Sequence, residues 1–275
     1  MFEGHIRVFP RRTSYTPTDQ WSFVGDPPLW RPNPDAVIDV SVSCTFSWDK
    51  PEAERLAEAW GQYYPVQLGG PAYGSPADTF TPGRYVKHGY TFTSRGCLRH
   101  CSFCLVPSME GPLRLLPITD GYIIQDNNFL ATPAEHRARV YAMLARQPRA
   151  AVFAGGIDAR LVTDEVAAEF AGIRVDSLFL ACDSEAALPA LRAAAQRLAF
   201  LGRRQLRCYV LTGYGDDTPA RAAARLEACW QAGVMPFAQY YRAPDAEARF
   251  DYPREWRELI RTWSRPAAMM AAHRA

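Results

Sequence analysis

Ser94-Arg95-Gly96-Cys97-Leu98-Arg99-His100-Cys101-Ser102-Phe103-Cys104 sets three cysteines at C-x3-C-x2-C spacing, just after an apolar run. Three thiolates on one tight loop can hold three corners of a cubane iron–sulfur cluster, whereas the usual four-cysteine set closes the coordination. The remaining cysteines, Cys44, Cys182, Cys208 and Cys229, form no second close pair, so a local fourth thiolate is missing. A four-iron cluster held in this way keeps one iron open to another ligand. Gly96 allows a sharp exit from a strand into the loop. Three other readings share these residues. They are a zinc site completed by His100 or His88, a redox pair within Cys101-Ser102-Phe103-Cys104, and buried thiols that are simply core.

On either side of the loop the chain repeats a strand–helix rhythm. Strands are expected at Tyr90–Thr93, Gly121–Gln125, Ala151–Ala154, Ser177–Ala181, Arg207–Thr212 and Met235–Tyr240. Helices are expected between most of them, over Pro133–Arg146, Asp164–Phe170, Ala186–Leu201 and Pro219–Ala232. Six such units predict a parallel sheet with outer helices, an α/β fold of the partial (β/α)6 TIM-like barrel type. The cysteine loop then leaves the carboxyl end of the first strand, where parallel barrels carry their active groups. Upstream, Val37–Phe46 alternates like a strand, Glu52–Tyr63 is helical behind Pro51 with Asp49 as its cap, and Pro65–Pro71 reads as a short strand. That is a small N-terminal α/β extension. Residues 1–36, rich in proline and without a clear period, read as an irregular arm. The boundaries are 1–85 for arm and extension and 86–275 for the barrel with its C-terminal helical segment. In that segment Trp256, Leu259, Ile260 and Trp263 fall on one helical stripe that must bury itself, either closing the barrel or only stabilising it.

The cysteine stretch resembles the signature of the radical S-adenosylmethionine (radical SAM) enzymes. Phe103 stands where that family carries an aromatic near the adenine of SAM, and Leu105-Val106-Pro107 with Glu110-Gly111 resemble its post-cysteine stretch. The resemblance implies Cys97, Cys101 and Cys104 as ligands of a [4Fe-4S] cluster, with SAM on the open iron. It implies reductive cleavage of SAM to a 5′-deoxyadenosyl radical that takes hydrogen from a substrate. It also implies an external one-electron donor of flavodoxin or ferredoxin type. Gln125-Asp126-Asn127-Asn128-Phe129 resembles the strand end that meets the amino group of SAM in the family's cobalamin-associated group, which points to Asp126 and Asn127. Asn128 reads equally as an Asx turn capping the next helix. Gly155 and Gly156 allow close approach to a ligand or make a plain turn. Asp158 and Arg160 meet a ligand or each other. Asp183 is the polar residue expected to reach SAM, or else an N-cap. Leu211 to Thr218 resembles the adenine-side strand end.

The N-terminal extension resembles a shortened cobalamin-binding domain, but its D-x-H-x-x-G box is absent. A methylthiotransferase-like reaction on tRNA or protein is the alternative within the family. It expects three further N-terminal cysteines where this chain has only Cys44. Outside the family, the alternative is a non-catalytic zinc or iron–sulfur module. Composition fits an ordinary globular protein, with 48% apolar and 22% charged residues in 275. A net charge of +2 gives no electrostatic case for nucleic acid or membrane. No apolar run approaches the roughly 20 residues of a membrane helix, and no signal segment opens the sequence. The expectation is a cytoplasmic enzyme, in the reducing compartment that suits free thiols.

Overall fold

Parallel strands buried on both faces need helices to cover them, and this chain supplies a helix between almost every pair. The computed structural model describes residues 2–74, 80–244 and 252–273. The chain forms two units. One runs to Tyr90 and takes in a short stretch from Ala243; the other holds Thr91–Arg242 and the C-terminal segment.

The first unit is a four-stranded parallel sheet built from β1 (His5–Phe9), β2 (Ser22–Val24), β3 (Asp39–Ser43) and β4 (Val66–Gly69), in the order β2-β1-β3-β4. Helix α1 (Lys50–Gly61) turns Ala53, Leu56 and Trp60 onto Ile6, Val8, Val40 and Val42. The expected arm therefore contains two strands, one of them interior. Ile6, Val8 and Phe9 are the apolar residues of β1 before Pro10, and with Val8 and Phe9 adjacent they make no readable period. Between Ile6 and Val8, Arg7 is 1% exposed, paired with Asp19 and lying over the Phe2 ring. Asp49 stands at the N-cap position of α1, yet its side chain makes no capping bond and pairs with Arg11 instead.

The second unit, from the boundary strand β5 (Tyr90–Thr91) onward, contains a two-residue antiparallel ribbon of β6 (Ser94–Arg95) and β7 (Arg114–Leu115), then β8 (Ile123–Ile124), β9 (Ala151–Ile157), β10 (Val175–Ala181), β11 (Leu206–Thr212) and β12 (Met235–Tyr240). Its main sheet runs β12-β11-β10-β9-β8-β5, with β8 to β12 parallel. Helix α2 (Val106–Glu110) follows the cysteines, and α3 (Ala134–Ala145), α4 (Asp164–Ala171), α5 (Leu188–Arg197) and α6 (Pro219–Gln231) fill the crossovers from β8 onward. Strand order equals chain order, and β5 and β12 stand at opposite ends of it, which is the open (β/α)6 arrangement expected. The core holds Phe129, Phe153, Phe170, Leu178 and Leu180, with Phe153 edge-on to Phe170 at 5.1 Å. Burying such a ring is worth about 3–5 kcal/mol against alanine.

The C-terminal stripe is buried as its spacing requires. On α7 (Arg254–Trp263), Trp263 joins the core with Leu259 and Ile260 against it, and Trp256 lies edge-on to Tyr240 at the end of β12. Helix α8 (Pro266–Ala272) adds Met269. The edge strand β12 is thereby covered, which removes an unpaired flank.

Candidate functional site

Between β5 and β8 the chain makes a long excursion whose ends are pinned together. Gly96 has φ +78°, and a side chain there would meet the Pro112 carbonyl at 2.2 Å. Only glycine lets the outgoing strand pass the returning one this closely. The Glu110 carboxylate clasps the loop: Oε1 accepts from Arg95 at 3.0 Å, and Oε2 from the Gly96 N–H at 3.1 Å and Asn127 Nδ2 at 2.6 Å. Arg114 donates to the Glu110 carbonyl at 2.7 Å. Within this closed loop Cys97, Cys101 and Cys104 are free and half-buried. Cys104 N–H bonds back to Cys101 O at 3.0 Å, a tight turn, and the Arg99 N–H donates to Cys97 Sγ at 3.3 Å. Burial pushes the Cys101 thiol up, and Asp183 adds to it; burial likewise raises Cys104. Binding a cation would offset that cost, because a coordinating thiol is deprotonated outright. Among the described residues no three His, Cys, Asp or Glu side chains stand ready-grouped around a metal. The donor set still suits an iron–sulfur cluster: three thiols on one loop, with Cys101 feeling the charge of Cys97, and Cys104 that of both.

The run after β8 holds the loop at three points in succession. Asp126, expected at an ammonium group, is 1% exposed. Its carboxylate accepts from the Thr93 N–H at 2.7 Å, Thr93 Oγ1 at 2.6 Å and Ser94 Oγ at 2.7 Å. Burial raises its pKa while these donors pull it down, and the net direction is upward. The group is committed to the root of the loop, so it positions the cysteines instead of facing a ligand. His136 supports it from below, with Nε2 at 3.2 Å from Thr93 Oγ1. Asn127 is engaged with Glu110. Asn128 occupies the N-cap position of a short 3-10 turn but makes no capping bond. Its Nδ2 lies 3.7 Å from Cys97 Sγ, and its buried Oδ1 has no partner.

The neighbouring strand ends complete the surround. A side chain at Gly155 would strike the Asp126 carbonyl at 2.1 Å, so this glycine serves strand packing; Gly156, at φ +96°, has open space beside it. Asp158 and Arg160 pair with each other, and Asp158 also accepts from Arg99 of the cysteine loop at 3.0 Å. Burial works to raise the Asp158 pKa, but its bonds to Arg160 and the charge of Arg99 outweigh it and the net shift is downward. Asp183 is not the cap it was allowed to be, since Ser184 holds that position. Half-buried, it has its carboxyl pushed up to about 6 by burial, against the pull of the Leu211 N–H, Arg225 and Arg160. Phe103 lies edge-on to Tyr214 at 5.7 Å, and Tyr214 to Tyr241 at 4.8 Å, an aromatic run from the cysteine loop to the ends of β11 and β12. That loop is organised by Asp217, which accepts from the Gly213 N–H at 2.9 Å and from Arg225 at 2.8 Å. Cys182 is fully buried core, as its setting suggested.

Glu110, Tyr214 and Asp217 fall in stretches that resemble the family, but their roles, like those of Arg99 and Arg225, have no separate signal in the sequence. Each is recognisable only once the loop is closed. A carboxylate six residues past the last cysteine is the nearest thing to a clue.

The six-stranded α/β sheet, with a three-thiol loop beyond its first strand, has the fold of a solved radical SAM enzyme. The chain is similar in structure to the radical S-adenosylmethionine methyltransferase TsrM from Kitasatospora setae, solved with cobalamin and a [4Fe-4S] cluster bound. The TM-score is 0.52, over 86% of this chain and 74% of that one, at 11% identity. At that identity the likeness is one of fold. No family model matches the sequence, and no curated protein matches it. Among the described residues no helix is long and apolar enough to cross a membrane.

Proposed function

We propose that the chain is a radical SAM enzyme in which Cys97, Cys101 and Cys104 hold a [4Fe-4S] cluster. The observation that carries this is the clasped C-x3-C-x2-C loop at the carboxyl ends of a (β/α)6 sheet, with no fourth cysteine in it. When bound, the cluster and SAM on its open iron supply reductive cleavage to methionine and a 5′-deoxyadenosyl radical that takes a hydrogen atom from substrate.

The chain's own residues do the positioning. Glu110, Asp126, Asn127 and Arg99 tie the cysteine loop to the strand ends. Phe103, with Tyr214 and Tyr241 behind it, offers an aromatic face for adenine. Gly156 and Asp183 border the same strand ends and supply close backbone approach and a polar contact for SAM. An external donor of flavodoxin or ferredoxin type delivers the electron, and the enzyme works in the cytoplasm.

Two alternatives lose support. Cys44, the one cysteine of the N-terminal unit, is fully buried, with its thiol pushed up to about 11 by burial and by Asp49. That disfavours a second cluster of the methylthiotransferase kind. Cobalamin held through a histidine does not fit either. His5 is the only histidine before His88; it begins β1, at the amino end of the strand, and is bonded to Asp39 at 2.9 Å.

The test is anaerobic reconstitution followed by dithionite and SAM. About four irons per chain, a brown chromophore and release of 5′-deoxyadenosine are expected. Stoichiometric zinc without iron uptake, or a loaded protein that never cleaves SAM, overturns the proposal.

A further inference from the structure

Asn128 is the residue of the strand end whose side chain is unaccounted for by local structure. It stands where an Asx cap would form, and the cap bond is not made. The side chain is 4% exposed, too deep to be satisfied by bulk water. Among the described residues the side chain's only hydrogen bond is Nδ2 to Cys97 Sγ, 3.7 Å, and its Oδ1 is left without one. A buried amide with an orphaned oxygen is costly unless its other end does something in exchange. A thiolate can only accept, so the amide must present its N–H to the sulfur once Cys97 is deprotonated. Cys97 then receives two N–H donors, from Asn128 and from the Arg99 backbone at 3.3 Å. Hydrogen bonds to ligating sulfurs are among the groups that set a cluster's reduction potential. Each favours the more negative, reduced state.

We propose that Asn128 is a positioning residue that tunes the cluster: its side-chain N–H···S bond to Cys97 raises the reduction potential and holds the first cysteine in place. This rests on the cluster reading above. The residue acts through Cys97 and is not assigned any contact with substrate.

The experiment is an electron-paramagnetic-resonance redox titration of reconstituted wild-type, Asn128→Leu and Asn128→Asp protein, with iron counted in each sample. Leucine keeps the volume and removes both the donor and the orphaned oxygen; aspartate replaces the donor by an acceptor anion. With iron content equal to wild type, the reduced-to-oxidised ratio at a fixed poise should fall about fivefold for leucine and further for aspartate. Equal loading and an unshifted titration in both variants overturn the inference. If neither variant loads iron, reduced wild-type protein labelled with 15N in its asparagine side chains decides. A nitrogen hyperfine coupling to the cluster supports the bond, and its absence refutes it. Wild-type protein that takes up no iron overturns the underlying reading and this inference together.

Discussion

The two parallel sheets of this chain use the carboxyl ends of their strands differently. In the N-terminal sheet the chain leaves β1 toward β2 on one side and β3 toward β4 on the other, so a switch point falls between β1 and β3. Open α/β sheets bind ligands at such points. An open crevice of about 720 Å³ lies there, lined by Arg11, Arg12, Trp48 and Asp49 among others. Its polar groups are largely engaged with one another: Arg11 with Asp49, and Arg55 with Asp26 and Glu52. In the (β/α)6 sheet several polar groups at the strand ends, Asp126, Asn127 and Asp158 among them, instead hold a loop that carries three thiols. The same architecture offers a place for chemistry twice, and only one of the two places is furnished with cluster-ligating residues. Fold supplies the place; the loops supply the function.

That contrast is broken most directly by removing a thiol. Cys101→Ala should lose most of its iron, from about four per chain, and all 5′-deoxyadenosine formation. The matching change in the N-terminal unit, Cys44→Ala, should leave iron content at the wild-type value. Equal iron loss from both would put the cluster somewhere else. The clasp comes next. Glu110→Ala removes three hydrogen bonds that close the loop, and supporting groups of this kind are worth about 10–100-fold in metal affinity or activity. Iron retention on dilution, with SAM cleavage, should fall within that range. A variant that keeps both would reduce Glu110 to a surface bond. On the other side of the comparison, protein incubated with hydroxocobalamin and desalted should retain no stoichiometric corrinoid by its visible absorption. Retention would show that the N-terminal crevice is furnished after all, by a route that needs no histidine.

The strand–helix rhythm was legible because each core strand from β9 to β12 is mostly apolar and each crossover helix carries one apolar face. Val140, Met143 and Leu144 lie buried on α3 as their spacing required. The stripe on α7 could be read for the same reason. What stayed hidden is whatever depends on a partner distant in sequence. β1 is a five-residue strand whose middle residue is an arginine, and nothing local reveals that Asp19 and Phe2 neutralise and cover it. In the run Asp126-Asn127-Asn128 the polarity was plain and the direction of each side chain was not. Residue type identified them as acceptors for a ligand, whereas the structure gives Asp126 to Thr93 and Ser94 and Asn127 to Glu110. Three contiguous polar residues at a strand end look alike in sequence because the irregular backbone after a strand breaks the period of two that would sort them.

The smallest effect concerns Asp183, a carboxyl at the end of β10; the buried carboxyl beyond the N-terminal strands, Asp49, is paired with Arg11 instead. Burial raises the Asp183 pKa from 3.8 to about 6 in the folded protein, although Arg225 and Arg160 pull the other way. The folded state therefore holds a proton more tightly than the unfolded state. The stability linked to that proton is complete below pH 3.8 and is lost as pH rises through about 6. Asp183→Asn keeps the shape and removes the titration. In cluster-free protein its thermal midpoint should match wild type near pH 4 and exceed it above pH 6. The half-exposed setting screens the effect to about 1 kcal/mol, or roughly 2–4 °C in a domain of this size. The check is a pair of melting series from pH 4 to 8. A difference that is constant across that range means the carboxyl does not titrate in this window. A variant that is less stable at pH 8 than wild type means that the charge of Asp183 is held by Arg225 and Arg160 strongly enough to overcome its burial. The polar surround of the cysteine loop would then be pre-organised as ion pairs and not as a site awaiting a cationic ligand.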